Sequence, residues 1–182
     1  MGIRRSHYEI AFEACLNQRG TPFVAIEDVR YSVKGRLGAK VFDYIVYPAG
    51  GLPCLIDVKG RKVNSRQSDN RAEADSDLPN WVTRGDLEGL QCWQEAFGAD
   101  YAAGFVFAYW RVGADGPAGQ SSRRREGITV AGRTYTFHLA LLAEYREHQR
   151  IRSPRWDTIN IPANVFRRIL QPIEKVWPAA PC

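Results

Sequence analysis

Tyr8, Ala11, Phe12, Cys15 and Leu16 recur at three- and four-residue spacing, and Gly20 closes the run, which predicts an amphipathic helix of about four turns opening at Ser6. Thr21–Val33 predicts a strand built on Phe23, Val24 and Ile26, ended by the turn Lys34-Gly35-Arg36-Leu37-Gly38. Two more strands, Lys40–Tyr47 and Leu52–Lys59, flank Pro48-Ala49-Gly50-Gly51, a tight connection of the hairpin sort. Residues 60–80 are polar and without period, a length that marks disorder or a functional loop. A second helix follows from about Thr83 to Phe97, with Leu87, Leu90, Trp93, Gln94 and Phe97 at helical spacing and Gly98 as its stop; Gly85 and Gly89 weaken its first half. Tyr101–Trp110 is nearly continuously apolar, as in a strand buried on both faces. A glycine-rich basic loop then leads to a hairpin, Ile128–Val130 and Tyr135–Phe137, and to helices over Leu139–Gln149 and Ala163–Leu170. The fold class is α/β, without internal repeats.

Composition narrows the class. With 182 residues, 45% hydrophobic and 25% charged, the chain is long enough for one well-buried domain and too ordinary in content for a disordered or collagenous one. No apolar run approaches the roughly 20 residues that cross a bilayer, and the start runs straight into Arg4 and Arg5 without an apolar signal core. Cys15, Cys54, Cys92 and Cys182 stand far apart with no C-x-x-C pair, so neither a zinc knuckle nor a disulfide framework is expected, and a reducing cytoplasm is. The net charge of +5 is unevenly placed: residues 1–110 hold 13 basic and 14 acidic residues, residues 111–182 hold 12 and 6. Twenty of the 25 basic residues are Arg, the better bidentate phosphate donor, which points toward nucleic acid; a well-solvated surface would give the same count.

The chemistry concentrates on two strands. Asp57 and Lys59 project from one face of the third strand because strand side chains alternate. Asp43 lies within Val41-Phe42-Asp43-Tyr44-Ile45-Val46, where a carboxylate is costly unless it is paired or binds a cation. If the two strands form the expected hairpin, Asp43 and Asp57 lie close enough to repel without a hard cation between them, and Mg²⁺ is the natural guest, with Mn²⁺ able to substitute. Glu9, three residues after Ser6, completes a capping-box pattern, and Glu13 lies one turn further on the same face.

Asp43, thirteen intervening residues, then Asp57-Val58-Lys59 at a strand end, within the order helix, three strands, helix, strand, resembles the PD-(D/E)XK nuclease superfamily. Within it the chain is similar to the small archaeal Holliday-junction resolvases and related bacterial endonucleases, over roughly residues 6–110, although Phe42 stands where the family name places a proline. The resemblance implies a restriction-endonuclease-like core, made of a helix, a three-stranded antiparallel meander, a helix and a further strand, over residues 1–110. Residues 111–182, outside that core, are expected to form a basic C-terminal extension packed on the same domain. It implies metal binding by Glu9, Asp43, Asp57 and the Val58 carbonyl, with Glu13 as the rival helix ligand, and a Lys59 that orients or activates the attacking water and stabilises charge on phosphorus. Gln91 on the second helix would turn toward the metal, and His7 would touch a phosphate or a water. Arg61, Lys62 and Arg66, directly after the catalytic strand, and Arg123, Arg124 and Arg125 in the basic loop are the candidate DNA-binding residues, and Trp81 is the candidate for base contact. The expected activity is metal-dependent hydrolysis of DNA phosphodiester bonds, in a chain that can pair as a homodimer. The alternatives are a nuclease-fold subunit that binds nucleic acid without turnover, and an unrelated α/β domain whose Asp43 and Asp57 pair only with Lys or Arg.

Overall fold

The structure, a computed structural model, describes residues 5–26, 32–33, 36–37, 40–64, 78–113 and 127–179. Helix α1 (His7–Gln18) starts at Ser6, whose hydroxyl accepts the Glu9 N–H while the Glu9 carboxylate accepts the Ser6 N–H at 3.0 Å. Its apolar stripe, Ala11, Phe12, Cys15 and Leu16, is buried. The strands that follow are β1 (Phe23–Ala25), β2 (Ser32–Val33), β3 (Arg36–Leu37), β4 (Tyr44–Val46) and β5 (Cys54–Asn64). After β6 (Val82–Thr83) come α2 (Arg84–Phe97), β7 (Ala102–Val112), β8 (Ile128–Val130), β9 (Arg133–Leu141) and α3 (Leu142–Glu147). The chain then forms β10 (Arg150–Ser153), β11 (Thr158–Asn160), α4 (Ala163–Ile169), β12 (Gln171–Pro172) and α5 (Ile173–Val176).

The central sheet runs β1-β4-β5-β7-β9-β12, with β8 also paired to β9. Its centre is the parallel pair β5 and β7, in register from Cys54 opposite Ala102 to Asn64 opposite Val112, and every other pairing is antiparallel. A parallel pair needs a crossover, which α2 supplies, and needs cover on both faces. Alternation along β5 provides for both: Ile56 packs with Phe12, Val106, Phe137 and Trp177 beneath α1 and α5, and Leu55 packs with Phe105, Phe107, Leu87 and Phe166 beneath α2 and α4. Among the described residues no helix is long and apolar enough to cross a membrane.

Several boundaries differ from the sequence-based expectation. The first strand is three residues, not thirteen, and residues 27–31 lie outside the described residues. The second starts at Tyr44, which leaves Asp43 just before it. The third continues past Lys59 to Asn64, because its partner β7 runs equally far. Leu78 and Asn80, expected in a polar loop, are buried; the Asn80 amide exchanges hydrogen bonds with the Ile161 backbone at 3.0 and 3.2 Å. Leu139–Leu141, expected to begin a helix, completes β9, since the long neighbour β7 offers backbone partners up to Gly104 opposite Leu141. The β10–β11 hairpin was not expected at all; it forms a second sheet with β6. Through β9, residues beyond 111 supply a full strand of the central sheet.

The face carrying α1 depends on a close approach: a Cβ on Gly60 would stand 2.2 Å from the Tyr8 ring. Gly60→Ala is therefore expected to lower the urea midpoint by an amount equivalent to about 1–3 kcal/mol. Most of that loss should disappear in a Tyr8→Ala background. Equal losses in both backgrounds would show that Tyr8 is not what the glycine accommodates.

Candidate functional site

The site begins where β4 leaves β5. In a strand, the N–H and C=O of one residue point to the same edge. The Ile56 carbonyl faces β4, where it accepts the Asp43 N–H at 2.8 Å, and Val58, two residues on, faces the same way. There β4 has ended, and the Val58 N–H is taken by the Asp43 side chain, N to Oδ2 2.6 Å. One carboxylate thus replaces a missing ladder partner, and the Val58 carbonyl opens onto the same edge. Asp43 is largely buried, and burial together with the nearby Asp57 carboxylate raises its pKa to about 7, against the Val58 hydrogen bond and Lys59, which favour the anion.

Asp57 and Lys59, both buried, share the α2 face of β5, and their side chains form an ion pair of 2.7 Å. Lys59 makes a second ion pair, 3.1 Å, to Oδ1 of Asp86. Burial, and then Lys40, push the Lys59 ammonium below its ordinary pKa, while Asp57 and Asp43 hold it up. Asp86 sits in the first turn of α2, where its other oxygen, Oδ2, accepts the Thr83 N–H at 2.8 Å in a capping box. Lys40 also pairs with Oδ1 of Asp86. The approach of Lys40 requires Gly89, since a Cβ there would lie 2.6 Å from the Lys40 carbonyl oxygen. Asp86 and Lys40 are the residues that sequence reasoning missed. The available signal was Thr83-x-x-Asp86, which reads as a helix start and conceals the second oxygen.

The structure brings Asp43, Asp57, Val58 and Lys59 together and places the other candidates as follows. Glu9 caps α1, and its charge is one of those acting on Asp43. Glu13 accepts the Tyr44 hydroxyl at 2.9 Å and pairs with Arg5 at 2.8 Å. Gln91 donates to Glu95 at 3.0 Å and lines a shallow pocket with Glu88, Cys92 and Glu95, whose lining includes neither Asp43 nor Asp57. The His7 Nδ1 lies 2.9 Å from the Tyr135 hydroxyl, and burial and Arg133 lower its pKa. Lys62 is exposed, with its ammonium 4.9 Å from the Trp110 ring centre. Arg61 turns inward: its terminal nitrogens donate to the Gly60 and Trp81 carbonyls, and its guanidinium lies 3.8 Å from the Trp81 ring centre. Arg66, Arg123, Arg124 and Arg125 lie outside the described residues.

The donors at the strand edge are all hard oxygens: the carboxylates of Asp43 and Asp57 and the Val58 carbonyl. Mg²⁺ commonly takes one or two carboxylates and completes its octahedron with water, so this set suits it, although among the described residues no three His, Cys, Asp or Glu groups gather at ligand spacing.

No protein-family model matches the chain, and no curated protein matches it. Among solved structures it is similar to Hjc, a Holliday junction resolvase from the archaeal hyperthermophile Archaeoglobus fulgidus. The TM-score is 0.51 at 14% identity, over 93% of this chain and 96% of that one. The chain therefore has the mixed α/β fold of that nuclease.

Asp43 generates a pH dependence. Its folded pKa, about 7, exceeds the ordinary aspartate value of 3.8, so the folded state holds a proton that the unfolded chain releases. Its contribution to stability is complete below about pH 4 and is lost as pH rises through about 7. Asp43→Asn, which keeps an acceptor for the Val58 N–H, should gain in melting temperature relative to wild type as pH rises from 4.5 to 7.5. A constant difference across that range would remove Asp43 as the titrating group.

Proposed function

We propose that the chain is a divalent-metal-dependent DNA endonuclease that hydrolyses phosphodiester bonds. The observation that carries the reading is the Asp43, Asp57 and Lys59 constellation at the parting of β4 and β5, in a fold shared with a resolvase. Asp43, Asp57 and the Val58 carbonyl would hold Mg²⁺, or Mn²⁺ in its place, with Glu9 as the further carboxylate from α1. A bound ion of this kind lowers the pKa of its water and polarises the phosphoryl oxygens.

The residues of the chain do the rest. Lys59, held between Asp57 and Asp86, is fixed as a hydrogen-bond donor whose positive charge offsets the charge growing on phosphorus and orients the attacking water. Asp86 is a positioning residue: it limits where the ammonium can go, and because Lys59 pairs with Oδ1 of Asp57, the other Asp57 oxygen would face the ion. Lys62, with Arg66, Arg123, Arg124 and Arg125, would meet phosphates flanking the cut, contacts that hold DNA without reading its sequence. In this reading Arg61 supports Trp81 rather than meeting a phosphate. Two copies would cut two strands.

A second reading, a nuclease-fold subunit that binds nucleic acid without turnover, rests on the engagement of both helix glutamates, Glu9 in a cap and Glu13 with Tyr44 and Arg5.

Supercoiled plasmid, linear single strands and a synthetic four-way junction, each incubated with Mg²⁺, Mn²⁺ or chelator, separate the two. Metal-dependent cutting by wild type, reduced at least about 100-fold in Lys59→Ala, is the expected result. Salt-sensitive binding without cutting would establish the second reading, and neither cutting nor binding would overturn both.

A further inference from the structure

The most exposed large apolar side chains among those described, Trp156 at 67% and Ile151 at 65%, lie on the β10–β11 hairpin. They are interleaved with arginines: Arg150 and Arg152 flank Ile151, and Arg155 precedes Trp156 with its guanidinium 5.2 Å from the indole centre. The one acid of the hairpin, Asp157, is engaged, since the Arg84 Nε donates to it at 3.0 Å. Its backbone adopts positive φ at 44°, and its carbonyl accepts the Arg84 N–H at 2.9 Å. The turn that presents Trp156 is therefore tied to the first residue of α2.

That attachment leads to the site. β11 pairs with β6, Thr158 opposite Thr83, and Thr83 caps the helix whose Asp86 holds Lys59. A second link runs through Trp81, which carries Arg61 of β5 at 3.8 Å and Arg152 at 5.5 Å. Arg152 falls at the register shift of the β10–β11 ladder, the kind of bulge that re-aims a side chain. Basic and aromatic groups thus continue from Lys59 through Arg61, Trp81 and Arg152 to the hairpin. Trp81, expected to contact bases, is half-buried with the Arg61 guanidinium 3.8 Å from its ring centre, whereas Trp156, beside Arg155, keeps most of its indole exposed.

We propose that the β10–β11 hairpin is a DNA-binding arm that stacks an unpaired base on Trp156 while Arg150, Arg152 and Arg155 hold the adjoining phosphates. Guanidinium groups around an exposed indole match a polyanion bearing free base faces, and an intact duplex offers such faces only at its ends. The arm confers preference for single-stranded or branched DNA, and this rests on the nuclease reading of the neighbouring site.

The test is equilibrium binding in chelator, where cutting plays no part, of wild type, Trp156→Ala and Trp156→Phe to a single strand, a four-way junction with an unpaired centre, and a hairpin-closed duplex. Trp156→Ala should bind the first two between about 5-fold and 100-fold more weakly, with little change on the closed duplex, and Trp156→Phe should recover part of the loss. Quenching of tryptophan emission by the single strand should shrink in both variants. Unchanged affinity, or an equal loss on all three DNAs, would overturn the arm. Cleavage of plasmid in Mg²⁺ reports separately on the nuclease reading: an active enzyme whose Trp156→Ala variant binds normally refutes the arm alone, and selective loss in an inactive protein leaves the arm standing.

Discussion

The two oxygens of Asp86 fix two things at once. One accepts the Thr83 N–H and decides where the crossover helix begins; the other holds the ammonium of Lys59. A lysine with 8% of its surface exposed has lost most of its hydration, and only paired, hydrogen-bonded charges make that tolerable. Because the helix start and the buried lysine share one carboxylate, the crossover cannot shift along the sheet without uncovering a charge. Helix, parallel strand pair and site are therefore set by the same contact.

The other determinant is an interruption. β4 stays with β5 for three residue pairs and then departs, while β5 continues beside β7 through Asn64. The interrupted ladder creates an edge inside an otherwise covered sheet, and Asp43 occupies it. Its carboxyl satisfies a backbone N–H, as any buried donor requires, yet it faces a second carboxylate at the same place. The backbone sets up a conflict there: local hydrogen bonding demands an acceptor at the end of β4, while burial and the neighbouring Asp57 make that acceptor's negative charge costly.

Much of this was legible in the chain. The stripe of α1, the apolar run of β7 and the alternation that puts Asp57 and Lys59 on one face each follow from a period that sequence displays directly. Asp43 drew notice as an acid among apolar neighbours. Asp86 did not, because a capping residue has an ordinary local explanation and its second partner lies 27 positions away. Leu139–Leu141 was misread because a strand enclosed on both faces loses the two-residue period that separates it from a helix. The β10–β11 hairpin had no apolar stripe to announce it: Ile151 points to solvent, and the ladder is held by β6 and a bulge that no local pattern encodes.

The margins of the sheets carry their own consequence. The central sheet is bounded by β1, of three residues, and by β12, which is Gln171 followed by a proline with no N–H to give. The outer strand of the small sheet, β10, is bulged and carries two arginines. Short, proline-ended, bulged or charged borders give another polypeptide little to hydrogen-bond against. Among the described strands, then, the sheet borders disfavour extension of one copy's sheet by another's, a guard against edge-to-edge aggregation in a fold rich in β-structure.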